Sequence, residues 1–419
     1  VPLPLVLMAI LVPGMLSNWK RQDSSPLRRR MLMLAPAALI GEWFGSRAVI
    51  APSLSAIAVT PADVFAAPPG GRDDGPVGGG WFGYLSYPDG GADGRGPRIP
   101  EAAGGWSDTV LRCDADGAWW HESLTGTGCP GWVDDALHAP TGRRDASITW
   151  AGADRAAHQH GVRECLEAIA AGEVYQACVC TQFSGTLHGE AAEFFVDAVT
   201  RTSPARAAYL AGDWGAVASL SPELFLSRCG ETTRSSPIKG TLPADADPAQ
   251  LRASVKDVAE NIMIVDLVRN DLGRVARTGS VTVPELLAVR PAPGVWHLVS
   301  TVAAQVPVDV SMAEVLAATF PPASVTGTPK DRARELLRGW EPGRRGVYCG
   351  TVGLASPVAG CELNVAIRTV EIAADGAAVL GVGGGITADS DPGREWEECL
   401  HKAAPILGEG QPRERRTAS

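Results

Sequence analysis

Pro237-Ile238-Lys239-Gly240-Thr241 places one lysine where it could act as a nucleophile. Pro237 fixes φ just ahead of it and drives Ser236 toward an extended shape. Gly240 permits a positive φ or a close ligand approach, and Thr241 adds a hydroxyl. A free lysine amine has a pKa near 10.4, so only about one in a few thousand is unprotonated at neutral pH. Nucleophilic work requires that value to fall to about 7, roughly 4 kcal/mol, which burial beside other cations supplies. Taken alone, the stretch also reads as an exposed loop lysine.

Two further segments carry carboxylates three apart, Asp257 with Glu260 and Glu395 with Glu398, so each pair shares a helix face. Solvated acidic faces have the same pattern. If the two faces meet, their repulsion calls for a divalent ion. All-oxygen ligands favour Mg²⁺, which keeps waters and takes anionic oxygens from a substrate. Glu223 follows Ser221-Pro222 among apolar neighbours. It reads as a salt-bridged turn residue or as a partly buried carboxyl fit for general-acid work. His297 alternates with apolar residues in Val295–Ser300, equally a packed core histidine or a catalytic one. Arg368, in the apolar run Ala366-Ile367-Arg368-Thr369, is a bidentate partner for a carboxylate. Gly381–Ile386 opens no helix and so is no dinucleotide fingerprint, but as a loop its amides could hold a carboxylate. An activatable amine, an acidic metal site and these donors match a small polyanion with more than one carboxylate.

Several elements must position these groups. The spacing of Leu251, Val255, Val258, Ile262 and Val265 predicts one helix over 251–267, with the first acidic pair off its apolar stripe. A last helix over 394–404 starts from Asp391-Pro392, buries Trp396, Cys399, Leu400 and Ala403, and ends at Pro405. Helices are also expected over 154–171, ended by Gly172, and over 192–203, 311–318 and 330–338. Strands are expected at 47–50, 56–59, 81–87, 174–183, 207–210, 215–220, 223–227, 347–354, 363–372 and 377–382. Asp114–Gly117 joins a hairpin between 109–112 and 118–121. Residues 88–105 read as a link and 125–148 as a loop and boundary. Helices and strands mix without a βαβ rhythm, so the fold class is α+β.

With 419 residues the chain can bury a large core, and its 45% hydrophobic and 20% charged content is that of a globular protein. A net charge of -10 with no basic stripe argues against nucleic-acid binding. Nine cysteines, none in a CxxC pair, read as reduced thiols and point to the cytoplasm. Cys178 and Cys180 suit one buried strand face rather than a zinc site. Residues 1–35, broken by Pro2, Pro4 and Pro13, read as a poorly specified leader, too short in its apolar part to span a bilayer.

The constellation resembles the chorismate-utilising enzymes, a family that includes anthranilate, aminodeoxychorismate, isochorismate and salicylate synthases. The resemblance runs from about residue 150 to 406. It is carried by Glu260–Leu267 with Arg269–Arg274, by Phe320–Lys330 and Arg345–Gly353, and by Gly383–Asp391 with Glu395 and Glu398. It implies one large α+β domain of two packed β-sheets flanked by helices. Residues 36–148 would form the N-terminal part of that sandwich, 149–407 the chorismate-binding part and 408–419 a disordered tail. It further implies Mg²⁺ on Glu260, Glu395 and Glu398, with Asp257 through water, gripping one carboxylate of chorismate. Tyr348, Arg368 and the amides of Gly383, Gly384 and Gly385 would take the other. Thr241, His297 and Ser324 would line the ring, with Lys402 among the substrate contacts.

Within that family two positions discriminate between reactions. Members that add water at C2 carry a lysine where this chain has Gln176, which argues against isochorismate or salicylate formation. Anthranilate synthases resemble Pro-Ile-Ala-Gly-Thr in the first stretch, whereas Lys239 is similar to the aminodeoxychorismate synthases. The resemblance therefore implies attack by Lys239 at C2, Glu223 protonating the departing C4 hydroxyl, then ammonia at C4 in a p-aminobenzoate pathway for folate or a specialised metabolite. Anthranilate synthesis is the alternative. No nucleophile-elbow cysteine between glycines occurs, so ammonia would come from a separate glutamine amidotransferase subunit or from solution. Leu242, Cys178 and Gln182 depart from the family's usual arginine, asparagine and arginine.

Overall fold

The computed structural model describes residues 16–22, 29, 32, 35–67, 70, 75–89, 96–138 and 145–408. The expected tail therefore lies outside the described residues except for Gly408, as does most of the expected leader. Residues 16–22 of that leader form a strand paired with Ala118–Ser123.

Alternating apolar strands build two large sheets, of twelve and ten strands among the described residues. The first runs Leu16–Gln22, Ala118–Ser123, Thr109–Cys113, Ser46–Ala51, Ala37–Trp43, Arg206–Gly212, Gly215–Ser221, Thr369–Ala373, Ala377–Ile386, Gln176–His188 and Gly327–Thr328. Ser147–Trp150 adds beside Gln176–His188. The second runs Ile238–Pro243, Val295–Gln305, Thr232–Ser236, Leu224–Cys229, Gly360–Asn364, Thr351–Ser356, Gly80–Leu85, Ala102–Ser107 and Ile57–Ala58, with Thr282–Ala292 also on Val295–Gln305. The N-terminal strands thus contribute to both sheets. Ala37–Trp43 pairs with Arg206–Gly212, and Gly80–Leu85 with Thr351–Ser356.

The sheets pack on each other through Leu39, Trp43, Phe82, Tyr84, Val217, Val352 and Leu354, all buried in one core. Helices cover the outer face of the first sheet, where Phe194, Phe195, Trp396 and Ala403 meet Ala207, Ala218, Leu380 and Val382. This is the expected α+β sandwich. Where chain passes between sheets, side chains satisfy the stranded backbone. Asn364 donates to the Arg206 carbonyl at 3.0 Å and to Ser219 Oγ at 3.2 Å.

The expected helix over 251–267 is two helices, Ala249–Ala253 and Val255–Gly273. Ser254 is extended and caps the second by accepting from the Asp257 amide, so the phase restarts there. The expected stripe is broken accordingly: Val255 is 85% and Ile262 42% exposed, while Glu260, Asn261, Ile264, Val265, Val268 and Leu272 are buried. The expected strand over 363–372 is likewise two, because the chain crosses from one sheet to the other between Asn364 and Thr369. Arg368 sits in that crossing with φ +51, not within a strand. The supposed glycine loop lies inside the strand Ala377–Ile386, with Gly383 opposite Cys180 and Gly385 opposite Cys178. Pro405 does not end the last helix, which runs Pro392–Leu407 and closes at Gly408. The region over 125–148 holds a helix, Gly131–His138.

Candidate active site

Lys239 is presented by a bulged strand rather than a loop. Ile238–Pro243 pairs with Val295–Gln305, and the register slips between Ile238 and Thr241. Gly240 takes φ +82 inside the slip, and a Cβ there would meet Asp257 Cγ at 3.1 Å and Leu251 Cδ2 at 3.2 Å. Glycine therefore lets the bulge lie against the first acidic helix. Lys239 Nζ donates to the Ser324 carbonyl at 3.0 Å. It also lies 3.6 Å from the position a Cβ would take on Gly385, which Gln176 Oε1 approaches to 3.0 Å and Glu260 Oε2 to 3.6 Å. Glu223, Glu260 and Glu398 lie within its electrostatic reach, and Lys256 and Lys402 act on the last two as well.

The two acidic helices meet around the glycine strand. Successive residues of a strand face opposite ways. A Cβ on Gly385 would face Glu260, while one on Gly384 would lie 3.1 Å from Glu395 Oε2, 3.6 Å from Glu398 Oε1 and 3.8 Å from Lys402 Nζ. A side chain at either glycine would fill this cradle. Lys256 links the two sides, 3.2 Å from Glu395 Oε1 and 3.9 Å from Glu260 Oε1. Lys402 Nζ holds Glu398 at 2.7 Å and donates to the Gly383 carbonyl at 2.8 Å. Burial pushes the Glu260 carboxyl above the usual carboxylate range; Lys239 and Lys256 pull it back, and Glu398 and Asp257 add to the rise. Burial also works against the charge of Glu398, but Lys402 outweighs it and holds that carboxyl below its ordinary value.

Among the described residues no three of these carboxylates stand preassembled around a metal position. The donor set nonetheless fits a hard divalent cation. Glu260 Oε1 and Glu395 Oε2 are buried with no hydrogen-bond partner, and Lys256, whose side chain is 44% exposed, already brings positive charge between their carboxylates.

Glu223 stands immediately before the strand Leu224–Cys229 and is 4% exposed. Burial pushes its carboxyl up, while Ser324, Lys239 and the Ile238 amide pull it down. Its Oε1 has no hydrogen-bond partner. His297 faces Thr241 across the ladder, with Nδ1 2.9 Å from Thr241 Oγ1. Burial, with Arg368 nearby, lowers its pKa to about 4, so the ring is neutral at pH 7. Arg368 is lowered by burial and supported by Glu223. Tyr348 packs against Gly381, where a Cβ would overlap its ring, and its hydroxyl lies 3.9 Å from Cys180 Sγ. The predicted groups thus gather around the Gly381–Gly385 segment and the Lys239 bulge. Gln176, noted in the sequence only for not being lysine, joins them as a buried acceptor whose Oε1 has no partner.

Three supporting cations escaped sequence reading. Lys256 was legible as a lysine four residues before Glu260. Lys330 Nζ binds Asp271 Oδ2 at 2.6 Å and the carbonyls of Thr319 and Pro321, tying the Ser324 turn to the acidic helix. Arg345 donates to Glu341, to the Val325 carbonyl at 2.7 Å and to the Cys178 carbonyl at 2.6 Å. Apart from Glu341, four residues before Arg345, the partners of Lys330 and Arg345 lie on other segments, and nothing local announces them.

Residues 58–408 match the family described as chorismate binding enzyme. The chain is 42% identical over 252 residues to aminodeoxychorismate synthase component 1 of Klebsiella aerogenes, covering 58% of this chain and 56% of that protein. It is 37% identical over 364 residues to an aminodeoxychorismate synthase of Streptomyces pristinaespiralis, covering 78% of this chain and 50% of that protein. The chain thus spans about half the length of these relatives. Among solved structures, anthranilate synthase component I of Streptococcus pneumoniae TIGR4 superposes with a TM-score of 0.70 at 22% identity, over 97% of this chain and 95% of that one. At that identity the likeness shows the fold.

Proposed function

Because the chain belongs to the chorismate-binding enzyme family, we propose that it converts chorismate and ammonia to 4-amino-4-deoxychorismate, with Lys239 as a covalent nucleophile. The observation that carries this reading is the Lys239 amine beside Gly385, with Glu260 at the same point and the buried Glu223 in its electrostatic reach. The named aminodeoxychorismate synthases among its relatives support it.

The unprotonated Lys239 amine attacks C2 of the ring through its lone pair, both ring double bonds shift, and the C4 hydroxyl leaves as water with the proton of Glu223, the C2-bound nitrogen keeping its two protons. Ammonia then bonds to C4, the double bonds shift back, and the C2–nitrogen bond breaks with its electron pair returning to Lys239. Burial keeps Glu223 protonated to higher pH than an exposed glutamate, as an acid needs. Neutral His297 holds the Thr241 hydroxyl beside the ring. Arg368, Tyr348 and the Gly383–Gly385 backbone receive one substrate carboxylate. Glu260, Glu395 and Glu398, with Asp257 through water, would hold Mg²⁺, which when bound supplies positive charge to the other. Lys402 orients Glu398 and the strand end through its two contacts.

Ammonia comes from a glutamine amidotransferase or from solution, and the product feeds p-aminobenzoate formation. No helix among the described residues is long and apolar enough to cross a membrane; a cytoplasmic location is proposed from the reduced thiols. Incubation with chorismate, Mg²⁺ and ammonium tests the reaction. The expected product is a non-fluorescent amine that keeps its enolpyruvyl carbons and yields p-aminobenzoate when a lyase is added. Fluorescent anthranilate with released pyruvate would replace this reading with the anthranilate synthase one.

A further inference from the structure

Glu223 and Ser324 both line one small cavity. Its walls are mainly apolar, including Leu226, Val268, Leu272, Pro322 and Val365, and its inner space suits a single molecule of water size. Glu223 lines it and is buried, with Oε1 lacking any hydrogen-bond partner. Ser324 and the Ile238 amide act on this carboxyl, but a buried Oε1 left without a donor of its own is costly, so a small donor belongs beside it.

We propose that this cavity is the waiting site of the ammonia molecule that attacks C4, held by an N–H donated to Glu223. The inference rests on the reaction proposed above. Chemistry fixes the place: the acid that protonates the C4 hydroxyl must stand at C4, and the incoming nitrogen must reach that same carbon. Once the hydroxyl has left as water, Glu223 is a carboxylate. Ammonia's lone pair then forms the C4–nitrogen bond, the C2–nitrogen bond to Lys239 breaks, and the new ammonium returns one proton to Glu223. The apolar walls favour neutral ammonia over hydrated ammonium.

Val268 lines the cavity and is none of the residues assigned to the reaction. Val268→Leu is expected to raise the KM for ammonia about tenfold while leaving that for chorismate within about twofold. Val268→Ala is expected to admit methylamine, raising the yield of N-methylated product about tenfold over the unsubstituted chain. If Val268→Leu folds and shifts both substrates equally, or methylamine gains nothing in Val268→Ala, the cavity holds only water and the proposal is overturned. Absence of any amino product from the unsubstituted chain would instead overturn the reaction reading itself.

Discussion

At the scale of single residues, the proposed reaction rests on one amine and one acid. Replacing Lys239 with alanine removes the nucleophile but leaves the carboxylate-binding donors. Formation of 4-amino-4-deoxychorismate should fall about 10³-fold or more, with chorismate binding largely kept. Unchanged product formation in a coupled lyase assay would remove Lys239 from the mechanism. Glu223→Gln keeps the shape and cannot give a proton, so kcat should fall about 10² to 10⁴-fold. The sign of the pH dependence follows from burial, which raises this carboxyl. The acid form is lost as pH rises through that elevated value, so the alkaline limb of the rate should belong to Glu223 and be absent from the residual activity of the variant. Which residues gather was the most legible level in the sequence. Lys239, Glu260, Glu395 and Glu398 were picked from type and spacing, and all four lie around two adjacent glycines. What spacing could not supply was the mixture of carboxylates and lysines around Lys239, because those groups come from distant strands and helices.

At the scale of elements, the boundaries carried the errors, and each has a local cause. Ser254 looked like one more helical residue between Leu251 and Val255, yet as an N-cap it restarts the helix and turns Val255 to solvent. Gly383–Gly385 looked like a loop from composition, but ten antiparallel pairings with Gln176–His188 keep that segment in the sheet, and the missing side chains make the cradle. The bulge at Gly240 has the same logic. Gly240→Ala puts a Cβ 3.1 Å from Asp257 and holds alanine at φ +82. The strain should cost about 1 to 3 kcal/mol. Because the bulge aims Lys239, activity should drop by more than the population of unfolded chain explains. Urea unfolding beside steady-state kinetics separates the two. A loss of stability with unaltered kcat would mean that the bulge does not aim the lysine.

At the scale of the whole molecule, the α+β sandwich was foreseeable, but the weave of its two sheets was not, since long-range pairing leaves no local mark. Arg345 shows what that weave requires. It is 2% exposed and reaches segments far apart in the chain: Glu341, the Val325 and Cys178 carbonyls, and the ring of Tyr87 at 4.4 Å. Glu341 in turn accepts from the Cys180 amide at 3.0 Å, so the pair clamps the strand that carries Gln176 to the turn that carries Ser324. Removing one partner of a buried pair leaves the other charge uncompensated. Arg345→Met should therefore cost about 3 to 5 kcal/mol in chemical denaturation, and adding Glu341→Gln should restore part of that loss. Because both clamped segments face Lys239, the single variant should also raise the KM for chorismate. A loss below about 1 kcal/mol would show instead that the apolar contacts between the sheets hold the two segments in place without the clamp.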